Sequence, residues 1–275
     1  LENINFSVKQ GETIAVIGGT GSGKSTIAKL IPRFYDVSKG EIKLGGVDIR
    51  GLKQSELHDL IGYVPQKANL FSGNIRENIN YGSSKNLSDE EIIEALKIAQ
   101  AWDFVQKLPE DLNEKVSQGG KNFSGGQKQR LSIARAIASK APILIFDDSF
   151  SALDYKTDAK LRAELAIKTK SQTKFIVAQR VTSIMQADKI IVLDGGKIVG
   201  IGIHGELLKN NEIYREIASS QLSDKEIETQ IKDFEKQKTI SKNQKNTKKA
   251  VSVSKKIAKK SWRKVVAKKS KKGEK

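Results

Sequence analysis

The sequence predicts an α/β fold built on a mainly parallel sheet. Three observations point there. Residues 142–148, PILIFDD, form a continuous apolar run, the pattern of a strand covered on both faces. Further apolar, β-branched runs recur at 13–19, 174–180 and 189–202, separated by stretches of helical pattern. A glycine-rich loop at 18–23 joins the first of these runs to a helix.

In chain order, INFSV (4–8) and TIAVIGG (13–19) read as strands around a turn at Gln10-Gly11. The second runs into the loop and then a helix from Lys24 to Arg33. EIKLGG (41–46) is a short strand with a glycine turn, and IGYVPQ (61–66) is another. Residues 88–108 have a helical pattern, opened by Ser88 with Glu91 three residues on, a capping box. Residues 125–139 form a second helix, and no strand is expected between Gln66 and Ile143. That stretch reads as an inserted helical subdomain, about 72–138, within a domain covering 1–220. Residues 204–219 are helical and close the core, and 221–235 continue as a polar helix.

Composition narrows the class. The 275 residues are enough for one large domain plus an appendage. No cysteine is present, which excludes disulfides and thiolate metal sites. No apolar run approaches the length of a membrane span, so a soluble, cytosolic piece is expected. The chain starts at Leu1 and its sole methionine is Met185, so a segment is expected upstream. The net charge of +17 is uneven: residues 236–275 hold 17 of the 49 Lys+Arg and one acid, Glu274. The rest is near neutral, so nucleic acid is not the expected partner. Within the basic tail, 221–275, Val253, Ile257, Ala258, Trp262 and Val265 fall at helical spacing among lysines. That pattern is compatible with an anionic membrane surface, with a solvated tail, or with RNA.

G-x-x-x-x-G-K-S/T fits at Gly18, Gly23, Lys24 and Ser25, with Gly19, Thr20, Gly21 and Ser22 between and Thr26 after. Glycines let backbone N–H groups turn toward phosphate oxygens, and the following helix presents its positive end to the same anion. Lys24 is expected on the β- and γ-phosphates of a nucleoside triphosphate and Ser25 on Mg²⁺. Asp147 ends the 142–148 strand, the edge where open α/β sheets bind ligands, and is expected to hold Mg²⁺ through water.

About a hundred residues beyond the loop stands FSGGQ, Phe123–Gln127, followed by ILIFDD at 143–148. In this order the motifs resemble the ATP-binding domains of ABC transporters, most of all the exporter branch, over nearly all of residues 1–220. The resemblance implies ATP and Mg²⁺, and a head-to-tail pair of domains with each ATP between one phosphate loop and the other domain's signature. Ser124, Gly125, Gly126 and Gln127 would serve the partner's ATP. VPQ (64–66) is similar to the Q-loop, with Gln66 sensing Mg²⁺ and the attacking water. LFSGNIRENI (70–79) is similar to the segment near membrane-domain coupling helices, and SALD (151–154), with Asp154, to the D-loop at the dimer interface. Leu1–Gly11 resembles the stretch after the adenine-stacking loop. The implied location is the cytoplasmic face of the membrane, through a membrane-spanning domain.

Three residues depart from that pattern. Asp148 stands where the family has a glutamate as general base, retracting the carboxylate by about 1.5 Å. Displacements of about 1 Å can cost about 10²-fold in rate. Gln179 stands for the switch histidine and cannot titrate. Gln118 replaces a glutamate before the signature. Neither His58 nor His204 occupies the switch position, and both are expected on the surface. Together the changes predict the degenerate half of a heterodimer, with weak hydrolysis at its own site. A soluble ABC-type ATPase and a non-hydrolytic ATP-dependent regulatory module are the alternatives.

Overall fold

The structure, a computed structural model, describes residues 1–83 and 86–236. Six strands form its main sheet: β1 (Thr13–Gly18), β4 (Ile61–Val64), β7 (Ile143–Asp147), β8 (Thr173–Val177), β9 (Lys189–Asp194) and β10 (Lys197–Gly202). Their order is β10-β9-β1-β8-β7-β4. Every pairing is parallel except β9–β10, a hairpin turning at Gly195-Gly196. The α/β fold with a mainly parallel sheet is therefore present. Ile14 to Ile17 of β1 are fully buried, as the unbroken apolar run requires. On one face Ile14 and Val16 pack with Ile145, Phe175, Val177 and Ile191, and with Ile27 and Ala28 of α1 (Lys24–Leu30).

The helical pattern from 24 to 33 stops at Leu30, because Pro32 has no N–H to continue the ladder. Residues 41–48 make a two-stranded hairpin, β2 (Lys43–Leu44) and β3 (Val47–Asp48), across Gly45-Gly46. A short helix α2 (Gln54–Asp59) precedes β4. The region after Gln66 is largely helical: α3 (Ile75–Asn80), α4 (Asp89–Ile98), α5 (Trp102–Val105) and α6 (Gly125–Ala138). The 88–108 pattern breaks at Gln100, whose φ is 57°. Two two-residue strands also occur there, β5 (Gly73–Asn74) and β6 (Lys115–Val116), paired antiparallel and too short to register as a sequence pattern. α7 (Tyr155–Lys168) follows β7, a helix the sequence reading did not single out. It buries only Asp158, Leu161 and Leu165, so its apolar stripe is narrow. The 204–219 helix is two, α8 (His204–Asn210) and α9 (Glu212–Ser219), joined at Asn211.

Residues 4–8 correct the expectation of a strand. Ile4, Phe6 and Val8 alternate onto the core as strand residues would, but the segment has no ladder. Period-two burial was legible, whereas a strand also needs a backbone partner. His204 is a second correction. It is buried, with Nδ1 2.7 Å from the Tyr214 hydroxyl. His58 is exposed, with Nε2 3.0 Å from the Pro32 carbonyl.

The backbone divides into a unit at Leu1–Gln221 and a second beginning at Leu222, whose residues 224–236 are helical. The tail pattern from Val253 to Val265 lies outside the described residues. No helix among the described residues is long and apolar enough to cross a membrane.

Candidate functional site

The parallel register aligns the carboxyl ends of the strands. Val64 of β4 pairs with Phe146 of β7, and Asp147 with Val177 of β8. Gln66, Asp148 and Gln179 each follow their strand by one or two residues, so they meet at one edge beside the loop that leaves β1. This is the edge where open α/β sheets hold ligands.

The loop 18–23 needs its glycines. A Cβ on Gly18 would lie 2.1 Å from the Leu193 carbonyl oxygen, and Gly23 has φ 98°. Around Gly19 and Gly21 an added Cβ would meet nothing within 4 Å, so the loop's outer side is open. Lys24 is buried, and its Nζ donates to the carbonyls of Gly18 (2.9 Å) and Gly19 (2.7 Å) and to Ser22 Oγ (3.4 Å). Burial pushes its ammonium below the ordinary value, while Asp148 and Asp147 pull it back up. Gly19, Thr20, Gly21 and Thr26 are exposed.

Ser25 Oγ donates to Asp147 Oδ1 at 2.7 Å. The Tyr63 hydroxyl donates to Asp147 Oδ2 at 2.9 Å. Burial first, and then the Asp147 charge, raise the Tyr63 phenol above its ordinary range. A hydroxyl beside a carboxylate is a hard-oxygen set of the kind Mg²⁺ takes. A buried amine beside an open glycine loop suits phosphate. The residues present therefore fit both groups.

Asp148 is the turning point of the site. Its φ is 49°, a left-handed conformation costly for a non-glycine residue, and it is 5 % exposed. Its N–H donates to the Val177 carbonyl at 3.0 Å, and Ser151 Oγ donates to its carbonyl at 2.8 Å. Its Oδ2 accepts from Gln66 Nε2 (2.9 Å) and from Gln179 Nε2 (2.6 Å). Burial holds the carboxyl above the usual carboxylate range, and the two amides oppose that shift. Gln66 thus reaches Asp148, whereas Ser25 and Tyr63 are the groups on Asp147.

The side chains of Ser124 and Gln127 bond each other's backbone rather than this cluster. Ser124 caps α6: its Oγ accepts from the Gln127 N–H (3.2 Å) and its own N–H donates to Gln127 Oε1 (2.8 Å). Phe123 is buried, while Ser124 and Gly125 are exposed. A Cβ on Gly126 would meet the Ala152 carbonyl at 3.4 Å. Asp154 caps α7 through the Thr157 N–H (2.9 Å), which lowers its carboxyl pKa. Gln118 is exposed.

Sequence reasoning missed several residues. Tyr63 was hidden in an apolar strand run. Gln129 of α6 is buried and donates to the Pro65 carbonyl at 3.1 Å, fixing the turn before Gln66. Arg180 donates to the carbonyls of Leu153 (3.4 Å) and Ser151 (3.3 Å), with its guanidinium 5.2 Å from the Tyr155 ring centre. No local pattern marks such long-range contacts.

The glycine loop with Lys24 and Ser25, joined to a strand-end aspartate on a parallel sheet, defines a P-loop nucleoside triphosphatase fold. Residues 1–151 match the family model described as ABC transporter. The chain is 46% identical over 223 residues to an uncharacterized ABC transporter ATP-binding protein of Mycobacterium tuberculosis, covering 80% of this chain and 38% of the relative. It is 42% identical over 223 residues to an ATP-dependent lipid A-core flippase of Thiobacillus denitrificans, covering 81% and 38%. A bacterial Atm1-family ABC exporter solved with ATP bound superposes with a TM-score of 0.74 at 37% identity, over 76% of this chain and 37% of that one. The chain belongs to the ABC transporter family, and the part of that family it resembles is the ATP-binding domain of exporters. It spans 38% of the length of these curated relatives.

Proposed function

We propose that this chain is the ATP-binding domain of an ABC-type exporter, and that its own site hydrolyses ATP slowly within a heterodimer. Lys24 binds the β- and γ-phosphates of ATP, with the backbone from Gly18 to Gly23 around them. Ser25 and Asp147 would hold Mg²⁺, which when bound would supply charge neutralisation at the phosphates. Gln66 and Gln179 orient water and the γ-phosphate. Asp148 is the base, one methylene shorter than glutamate.

The observation that carries the slow-site reading is the double amide contact on Asp148 Oδ2 from Gln66 and Gln179. Both donors stabilise the ionised carboxylate and so weaken it as a proton acceptor, and the Gln179 amide has no proton-accepting nitrogen. Ser124 and the backbone of Gly125 and Gly126 serve a partner's ATP, with Gln127 and Asp154 ordering the two helix starts. The partner is a second ATP-binding domain that supplies the efficient site.

Coupling to membrane-spanning domains at the cytoplasmic face is supported by a surface on and just after the 70–79 segment. Phe71 and Tyr81 are exposed and their ring centres lie 4.3 Å apart. Arg135 sits against both rings and donates to Asn78 Oδ1 (2.8 Å) and to the carbonyls of Asn78 (2.7 Å) and Asn69 (3.1 Å).

ATP turnover and nucleotide trapping, measured on this chain and on its Asp148→Glu plus Gln179→His variant, test the reading. The native chain should bind Mg-ATP and turn it over poorly, and the double change should raise turnover by about 10²-fold. Brisk turnover by the native chain would make it a self-sufficient engine instead.

A further inference from the structure

We propose that Gln221 is the positioning residue of the switch: it sets how far the Gln179 amide reaches toward Asp148 and the γ-phosphate. The inference rests on the reading of Gln179 given above.

The switch leaves the sheet just after β8. The Ala178 N–H still bonds the Val16 carbonyl at 3.1 Å. Beyond it the sheet ladder no longer holds the chain. The side-chain amide of Gln221 takes over. Its Oε1 accepts from the Val181 N–H at 2.8 Å and its Nε2 donates to the Gln179 carbonyl at 2.8 Å. One planar amide thus bonds the backbone on both sides of Arg180, as a neighbouring strand would. It fixes the peptide that carries the Gln179 side chain, whose own amide lies 2.6 Å from Asp148.

Gln221 is itself well held. Its N–H bonds the Ala218 carbonyl at 3.0 Å, at the end of α9, and α9 is anchored by the buried Tyr214. The remaining ties of the switch go elsewhere: Arg180 to the carbonyls of Ser151 and Leu153, and Ser183 Oγ to Asp158 Oδ2 at 3.2 Å. Only glutamine supplies donor and acceptor at this reach. Glutamate would set an oxygen against the Gln179 carbonyl, and asparagine is a methylene too short.

The test is release of a methylanthraniloyl-labelled ATP, and of the matching ADP, from the full chain with Mg²⁺. Gln221→Met keeps the volume and loses both bonds, Gln221→Glu loses the donor, and Gln179→Ala removes the switch amide. Gln221→Met and Gln221→Glu should each speed ATP release by about five- to tenfold, the effect of a lost hydrogen bond, and leave ADP release unchanged. In a Gln179→Ala background the Gln221 changes should add nothing. Equal effects in both backgrounds, equal acceleration of ATP and ADP, or no effect while Gln179→Ala speeds ATP release would each overturn the inference. If Gln179→Ala itself leaves ATP release untouched, the switch reading falls and takes the inference with it. Should Gln221→Met not fold, Gln221→Asn gives the same comparison.

Discussion

At the scale of single residues, two carboxylates side by side have opposite surroundings. Asp147 receives hydroxyl donors from Ser25 and Tyr63, while Asp148 receives amides from Gln66 and Gln179. Tyr63 orients the Asp147 carboxylate, so Tyr63→Phe should raise the Mg²⁺ concentration needed for nucleotide binding by roughly tenfold, read from a Mg²⁺ titration of labelled-ATP fluorescence. Asp148 should tie function to stability. Its folded-state pKa is raised by burial, so ionising it costs more in the native state than in the unfolded chain. The stability this contributes is present below the unfolded-state pKa and is lost as pH rises through the folded one. Asp148→Asn stays neutral, and its side-chain carbonyl still accepts from both amides. It should therefore melt higher than the native chain near neutral pH, and the gap should close as pH falls to about 4. Melting curves across that range check it, and an unchanged gap would remove burial as the cause.

At the scale of elements, α7 is tied to the turn after the switch by one buried carboxylate. Asp158 is fully buried and accepts from Arg162 Nε (2.9 Å), Arg162 Nη2 (3.3 Å) and Ser183 Oγ (3.2 Å). Removing it leaves a half-buried guanidinium and a buried hydroxyl unpaired. Asp158→Ala should cost about 3 kcal/mol in a denaturant titration. A loss no larger than that of an ordinary surface substitution would show that the Asp158 carboxylate does not hold the helix to the turn. The element scale is also where sequence reading lost resolution. The 204–219 helix divides at Asn211, whose side chain accepts from the Tyr214 N–H (2.7 Å) and donates to the Val199 carbonyl (2.9 Å). Such a cap interrupts a helix without interrupting its apolar period. Residues 4–8 failed in the opposite sense, with the right side-chain alternation and no ladder.

At the scale of the whole molecule, the phosphate loop and the signature occupy separate places on one chain. In a head-to-tail pair each would be completed by the other copy. The Asp148→Glu, Gln179→His background offers a direct check on this arrangement. Chains carrying Lys24→Ala and chains carrying Ser124→Arg should each be nearly inactive in that background. Mixing them should recover ATP turnover, because the mixed pair retains one intact phosphate loop facing one intact signature. No recovery in a mixture shown to contain mixed pairs would exclude the head-to-tail reading.

The sequence by itself determined the phosphate loop, the capped start of α4 at Ser88, and the strand that ends at Asp147. Each is a local matter: glycines permit the turn, a serine three residues before a glutamate caps a helix, and an unbroken apolar run marks a strand buried on both faces. Tertiary structure alone decided what these pieces touch. Gln66 lies 82 residues from Asp148 and Gln179 lies 31 residues from it, yet both reach the same oxygen. Tyr63 meets Asp147 across 84 residues, and Gln221 meets Gln179 across 42. The reason is the parallel register of β4, β7 and β8, which sets three strand ends side by side. Strand order is settled by packing across the whole sheet, so no short stretch of the chain records which ends become neighbours.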